Sequence, residues 1–436
     1  MFVIAYASFL ILSSICTALH YLVFTKKPKS TPIENALFLA FQRRYLTAYC
    51  LALMGDWLQG PYLYKLYHHY GFLEPQIAVL YVCGYAATVL AATVTPLLVD
   101  RIGRKKMCIA FTIAYTVCCL TKLSTNYGLL IVGRILGGIS TALLFTVYEA
   151  WYVHEHIETN DFPKEWLSDT FTKASLANGA IGVGAGILTT FVAEWCNFGS
   201  VAPFVLAIPF LIASGIYVHM HWTENWGAAK TKFKPICLEG LKQIVLDRKV
   251  LLIGLVQSLF ESVVYIFVFL WTPVLLPARP PLGIVFATFM VASMIGGVLY
   301  SLLGLQRWPV RQTLTAVMCV ATVALIGAVL FSSHPRLSFG MYLLLELCCG
   351  AYFPAMSQLR KSVLPEAHRD GVLNWFRVPL NLTASLVILL LHDTAGGAPQ
   401  IFGVCAGLMA GGVALMLIYS SLSDKDEVLD DSSEDN

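Results

Sequence analysis

Apolar runs of about span length recur along the chain, separated by short polar breaks. A membrane-crossing helix needs roughly 20 mostly apolar residues, and the first such run occupies residues 1–24. Six more follow at 43–65, 76–98, 106–125, 127–151, 168–194 and 200–222. After a polar stretch at 223–247 come another six, at 248–275, 282–304, 312–332, 339–359, 372–392 and 400–421. The stretch 223–247 is the only long internal break. This predicts an all-α membrane protein with one extra N-terminal transmembrane helix (1–24) and a basic linker (25–42). A six-helix bundle (43–222), an inter-bundle loop (223–247), a second six-helix bundle (248–421) and an acidic tail (422–436) complete the expected layout.

Composition agrees with this pattern. Of the 436 residues, 57% are hydrophobic and only 13% charged, against roughly 25% charged in a soluble domain. A soluble enzyme, a disordered chain and a nucleic-acid binder are thereby disfavoured, and the lipid bilayer is the expected surrounding. The net charge of +3 hides an asymmetry, because seven acids crowd residues 423–436 beside a single Lys425. Basic residues favour the cytoplasmic side of a membrane. With alternating loops, Lys65, Lys122, Arg279 and Arg336 fall on one side and Arg134, Lys173 and Arg377 within runs. The other 22 of the 29 Lys and Arg residues share one side, which is therefore read as cytoplasmic, together with the tail.

The 12 cysteines sit mostly inside apolar runs (Cys118, Cys119, Cys348, Cys349) and read as small buried apolar groups. There is no CxxC. His154, Glu155 and His156 have the wrong spacing for one helix face, so they read as the cytoplasmic end of a span. No catalytic residue, metal ligand or cofactor is expected. The two halves align weakly as a repeat: Arg134 precedes Gly138 at the spacing by which Glu346 precedes Gly350, and Lys173 falls opposite Arg377.

The loop Asp100-Arg101-Ile102-Gly103-Arg104-Lys105-Lys106 resembles the signature loop of the major facilitator superfamily. Arg134-Ile135-Leu136-Gly137-Gly138 is similar to that family's fourth-span motif, and Pro365-Glu366-Ala367-His368-Arg369 to its loop before the eleventh span. Longer strings resemble the molybdate-anion transporter family within that superfamily. They include Asp56-Trp57-Leu58-Gln59-Gly60-Pro61-Tyr62, Glu149-Ala150-Trp151-Tyr152, Leu259-Phe260-Glu261-Ser262 and Asn374-Trp375-Phe376-Arg377-Val378-Pro379. The resemblance implies alternating access between two bundles, with molybdate or a similar oxyanion as the transported species and the plasma membrane as its location. It also implies that Asp100, Arg101, Gly103, Arg104 and Lys105 latch the cytoplasmic helix ends without touching substrate. Alternatives are another solute on the same fold, such as sulfate or an organic anion, or a non-transporting membrane scaffold or sensor.

Charges inside a bilayer are costly and usually pair or line a cavity. A tetrahedral dianion suits the planar fork of arginine, which makes Arg377 the first candidate ligand. Asn374 lies one turn away on the same face, Lys173 would add a charge across the cavity, and Arg134 is a fourth candidate. Asp56, beside the helix break at Gly60-Pro61 and sharing a face with Gln59, is a candidate carrier of a coupling proton. Glu261 and Glu346 are its rivals. Gly133 and Gly137, at GxxxG spacing, are expected to serve helix packing.

Overall fold

A computed structural model describes residues 1–26, 33–226, 233–364, 369–391 and 397–434. The elements before the polar break are α1 (Phe2–Lys26), α2 (Ala36–Trp57), α3 (Leu63–His69), α4 (Glu74–Ile102), α5 (Arg104–Thr121), α6 (Tyr127–His154), α7 (Leu167–Thr190) and α8 (Ala202–His221). After it come α9 (Phe233–Leu246), α10 (Arg248–Leu275), α11 (Leu282–Leu305), α12 (Val310–Leu330), α13 (Pro335–Val363), α14 (Arg369–Leu391) and α15 (Gly397–Glu434). No strand occurs among the described residues. Eleven of the helices are long and apolar enough to cross a membrane. α2 and α5 also stand where spans are expected, but each carries three charges: Arg43, Arg44 and Asp56 in one, Arg104, Lys105 and Lys106 in the other.

Helices α2 to α8 form one six-span bundle and α10 to α15 the second, with α1 outside both. Within the first, α4 packs on α6, α6 on α5, and α8 on both α5 and α2. The second repeats the scheme with α11 on α13, α13 on α12, and α15 on α12 and α10. The repeat read from Arg134/Gly138 and Glu346/Gly350 has a physical counterpart at these crossings. A Cβ on Gly138 would strike the carbonyl of Gly84 across the α4–α6 contact, and one on Gly350 the carbonyl of Ser293 across α11–α13. Gly133 and Gly137 bring α6 close to α5, where a Cβ on Gly137 would lie 3.2 Å from Cys118 Sγ. α1 lies along the seam between bundles, its Cys16 packed with Val291 and Ile295 of α11 and, at the rim, Val183 of α7.

The structure corrects three expectations about boundaries. The span expected at 43–65 begins at Ala36, because the Asn35 side chain accepts a hydrogen bond from the Phe38 amide at 3.0 Å and caps the helix. It stops at Trp57, and the chain turns through Gly60-Pro61 into α3, so the helical face expected to join Asp56 to Gln59 ends at the break; Gln59 bonds back to the Gly55 carbonyl instead. The polar stretch 223–247 contains α9, and the acidic tail continues α15 as helix to Glu434, with Asp424 paired to Arg311 at 2.9 Å. Cys118, Cys119, Cys348 and Cys349 are buried as expected, whereas Cys319 is exposed.

Candidate functional site

The two ends of the molecule are built differently. The end carrying Arg101, Arg104, Arg307 and Arg360 is called here the basic end. At the opposite end, one hydrophobic cluster crosses both bundles. Tyr64 and Tyr81 of the first set their rings against Phe269 of the second, with centroids 5.9 and 5.3 Å apart. Tyr85 of α4 stacks on Tyr265 of α10 at 4.9 Å and donates a hydrogen bond to its backbone carbonyl at 3.0 Å. Nearer the basic end, the clusters around Phe41 and around Val250 each stay within one bundle.

The α7–α11 seam widens in the same direction. A Cβ on Gly186 would lie 2.5 Å from the Gly283 carbonyl, so the backbones touch there. Further along, Gly182 and Gly179 face the side chains of Met290 and Met294 instead. The backbones of the two bundles thus touch at Gly186 and Gly283 and are held apart by methionine side chains nearer the basic end.

Arg377 of α14 is exposed, and the Glu261 carboxylate and Tyr265 of α10 lie within its electrostatic reach. Among the described residues its guanidinium forms no ion pair. Glu261 hydrogen-bonds Gln257 and also feels Arg360, whose Nη1 donates to Gln257 Oε1 at 3.1 Å. Two arginines therefore flank one carboxylate. Sequence reasoning missed Arg360, because it sits near the end of α13 and was counted with the loops. Asn374 is half-buried one turn before Arg377, and Pro379 lies within the same helix.

The other candidates are elsewhere. Lys173, expected opposite Arg377, is held by Asp169 at 2.8 Å one turn back on its own helix and donates to Gln42 Oε1 at 2.8 Å. Asp56 accepts a hydrogen bond from the Tyr115 hydroxyl inside the first bundle. Glu346 is half-buried on α13. Arg134 points towards the opposite end, its Nε donating to the Leu80 carbonyl at 3.1 Å.

The latch region is more elaborate than its motif. Gly103 adopts φ +103°, and a Cβ there would fall 2.5 Å from Glu224 Cδ. That carboxylate accepts from the amides of Lys105 and Lys106 at 2.9 and 3.2 Å, capping α5. Arg104 Nη1 donates to Asn225 Oδ1 at 3.2 Å, and Asn225 Nδ2 donates to Glu155 at 2.9 Å. Trp151 stacks on Trp222 at 3.7 Å. Glu155, Glu224 and Asn225 thus belong to the network around this loop, and sequence reasoning did not pick them. Arg101 is exposed; the side chain of Asp100 and the Pro365–His368 segment lie outside the described residues.

A major facilitator family model, described as sugar transporters with 12 transmembrane segments, matches residues 3–346. A molybdate-anion transporter of Takifugu rubripes is 45% identical, over 96% of this chain and 95% of its own. The chain belongs to the molybdate-anion transporter family of the major facilitator superfamily. A Xenopus laevis molybdate-anion transporter is 46% identical over the same shares. Among solved structures, a D-xylose–proton symporter superposes with TM-score 0.66 at 12% identity, covering 88% of this chain and 97% of its own. The nucleoside transporter NupG gives 0.62 at 12% identity, over 87% and 98%. At that identity the likeness concerns fold alone. The protein is a multi-pass integral membrane protein of a transporter family.

Proposed function

We propose that the protein carries molybdate across the plasma membrane into the cell by alternating access, as a carrier rather than an enzyme. Its basic end and acidic tail face the cytoplasm. The observation that supports an oxyanion most directly is Arg377: an exposed arginine within electrostatic reach of Glu261, with no ion pair among the described residues, in a chain 45% identical to a named molybdate-anion transporter. A neutral sugar gives no reason to hold an unpaired guanidinium there, whereas a tetrahedral dianion accepts two parallel hydrogen bonds from it. Asn374 adds a neutral donor and Arg360 a second charge.

Charge suggests the coupling. Arg360 and Arg377 against an ionised Glu261 leave one net positive charge. If Glu261 takes up a proton as the dianion arrives, two positive charges face two negative ones. One proton would then enter with each molybdate. Asp56 and Glu346 are less suited to this role, since Asp56 is engaged by Tyr115 within its bundle and, among the described residues, no arginine acts on Glu346.

Uptake of radiolabelled molybdate into sealed proteoliposomes tests this reading. Wild type is expected to show saturable uptake that tungstate and sulfate compete for to different degrees. Losing a charged ligand costs roughly 2–5 kcal/mol, so Arg377→Ala should cut uptake at low substrate by ~30-fold or more. Glu261→Gln is expected to remove the response to an imposed pH difference. Uptake by Arg377→Ala within a factor of two of wild type would reduce Arg377 to a packing role, and an unchanged pH response in Glu261→Gln would remove the coupling assignment.

A further inference from the structure

Four elements of the first bundle meet at the end opposite the basic loops, around the buried Lys122 and the half-buried Arg134, whose Nε donates to the Leu80 carbonyl at 3.1 Å. Lys122 caps α5 and is 1% exposed, yet among the described residues its Nζ has no hydrogen-bond partner. Arg134 of α6 lies in its field, with its guanidinium carbon 5.0 Å from the Tyr81 ring centroid. Tyr67 of α3 is 0% exposed, and its hydroxyl also lacks a partner. Lys122 Nζ stands 5.5 Å from the centre of that ring. Among the described residues neither cation forms an ion pair, and no carboxylate is among the charged groups acting on either.

Ring faces attract cations, but too weakly to offset the penalty of taking an ion out of water. A site kept only for packing would hold apolar side chains here. The backbone is instead cut away to admit the charges. A Cβ on Gly84 would fall 2.5 Å from Arg134 Nη2, while Gly133 chiefly clears the Thr121 side chain and would bring a Cβ 3.2 Å from Lys122 Nζ.

We propose that Lys122, Arg134 and the Tyr67 hydroxyl form a second anion subsite, distinct from Arg377, that takes a tetrahedral divalent oxyanion when the cluster crossing the bundles at this end parts. Two positive charges match the dianion, and a hydroxyl with no other partner adds a neutral donor. Tyr67 and Tyr81 belong to the cluster that seals this end, so the subsite is covered in the conformation seen here and uncovered when that seal opens. It would capture the anion arriving from outside before transfer towards Arg377. This assignment rests on the oxyanion reading above.

Equilibrium binding of radiolabelled molybdate to the full-length protein in lipid nanodiscs reads both subsites without turnover. Arg377→Ala is expected to keep a saturable component, and adding Lys122→Met to remove it. Tyr67→Phe in the Arg377→Ala background, which deletes one hydroxyl from an otherwise intact ring, should raise that component's half-saturating concentration several-fold. It keeps the test decisive if the lysine variant does not fold. Wild-type binding that vanishes entirely in Arg377→Ala would overturn this subsite and leave the transport reading standing. A residual component insensitive to both Lys122→Met and Tyr67→Phe would also overturn it, as would one displaced equally well by chloride, which would mark a halide site. Absence of binding by wild type would overturn both readings together.

Discussion

The two ends of this transporter are held together by different physics. At the end remote from the basic loops, aromatic rings of both bundles interlock: Tyr64 and Tyr81 close on Phe269, and Tyr85 covers Tyr265. At the basic end, the polar and stacking contacts run within single bundles: in the first through the Glu224 cap on α5, the Asn225–Glu155 bond and the Trp151–Trp222 stack, in the second through the Arg311–Asp424 pair and the Arg360–Gln257 bond. Apolar burial across an interface is non-directional and is lost as the surfaces separate. Capping bonds within a bundle survive when the bundles rock as rigid bodies. The remote end is therefore the gate closed in this conformation, while the basic-end network keeps one bundle rigid through the cycle.

Breaking the aromatic gate should have the largest effect. Phe269 is fully buried between Tyr64 and Tyr81, and truncating a buried phenylalanine costs about 3–5 kcal/mol. Much of that cost falls on the closed conformation alone, so Phe269→Ala should populate the conformation open at this end. Spin labels at the exposed positions His69 and Ser333 report it: their separation should lengthen in the variant. An unchanged distance distribution would mean that the aromatic contacts do not hold the gate.

The latch should respond differently. Gly103→Ala places a Cβ against the Glu224 carboxylate at positive φ, a strain of about 1–3 kcal/mol. Because these contacts lie within one bundle, the thermal midpoint should fall while the His69–Ser333 separation stays as in wild type. A shift in that separation would show that the latch also sets the conformational balance.

Much of this architecture is legible in the sequence. Thirteen apolar runs, the 223–247 break and the Gly60-Pro61 interruption follow from composition and backbone chemistry, and the motif loops locate the basic end. The capped start at Ala36 was obscured because polar Gln42, Arg43 and Arg44 precede the apolar run; the helix there depends on Asn35 and on packing by Phe38 and Phe41. The sites were harder to read. Arg377 and Glu261 stood out as charges within spans, but Arg360 and Lys122 lie at span ends, where a basic residue ordinarily reaches solvent. Only the three-dimensional packing shows that Lys122 is enclosed. Glu224 and Asn225 carry no motif at all, and their role depends on α8 ending beside α5 and α6.

The smallest effect is expected at Lys173, and it separates sequence symmetry from spatial role. Its alignment with Arg377 suggests a matching ligand from the first bundle. In the structure its ammonium is engaged by Asp169 and Gln42, and its side chain is 46% exposed. Exposed i,i+4 pairs contribute about 0.3–0.5 kcal/mol, so Lys173→Met should lower the thermal midpoint by about a degree at most. Uptake should stay within a factor of two of wild type, against the large loss expected for Arg377→Ala. A loss of uptake comparable to that of Arg377→Ala, in a protein of unchanged midpoint, would mean that Lys173 releases Asp169 during the cycle and meets the anion. The anion would then meet a cation from each bundle, and the repeat would extend to the site itself.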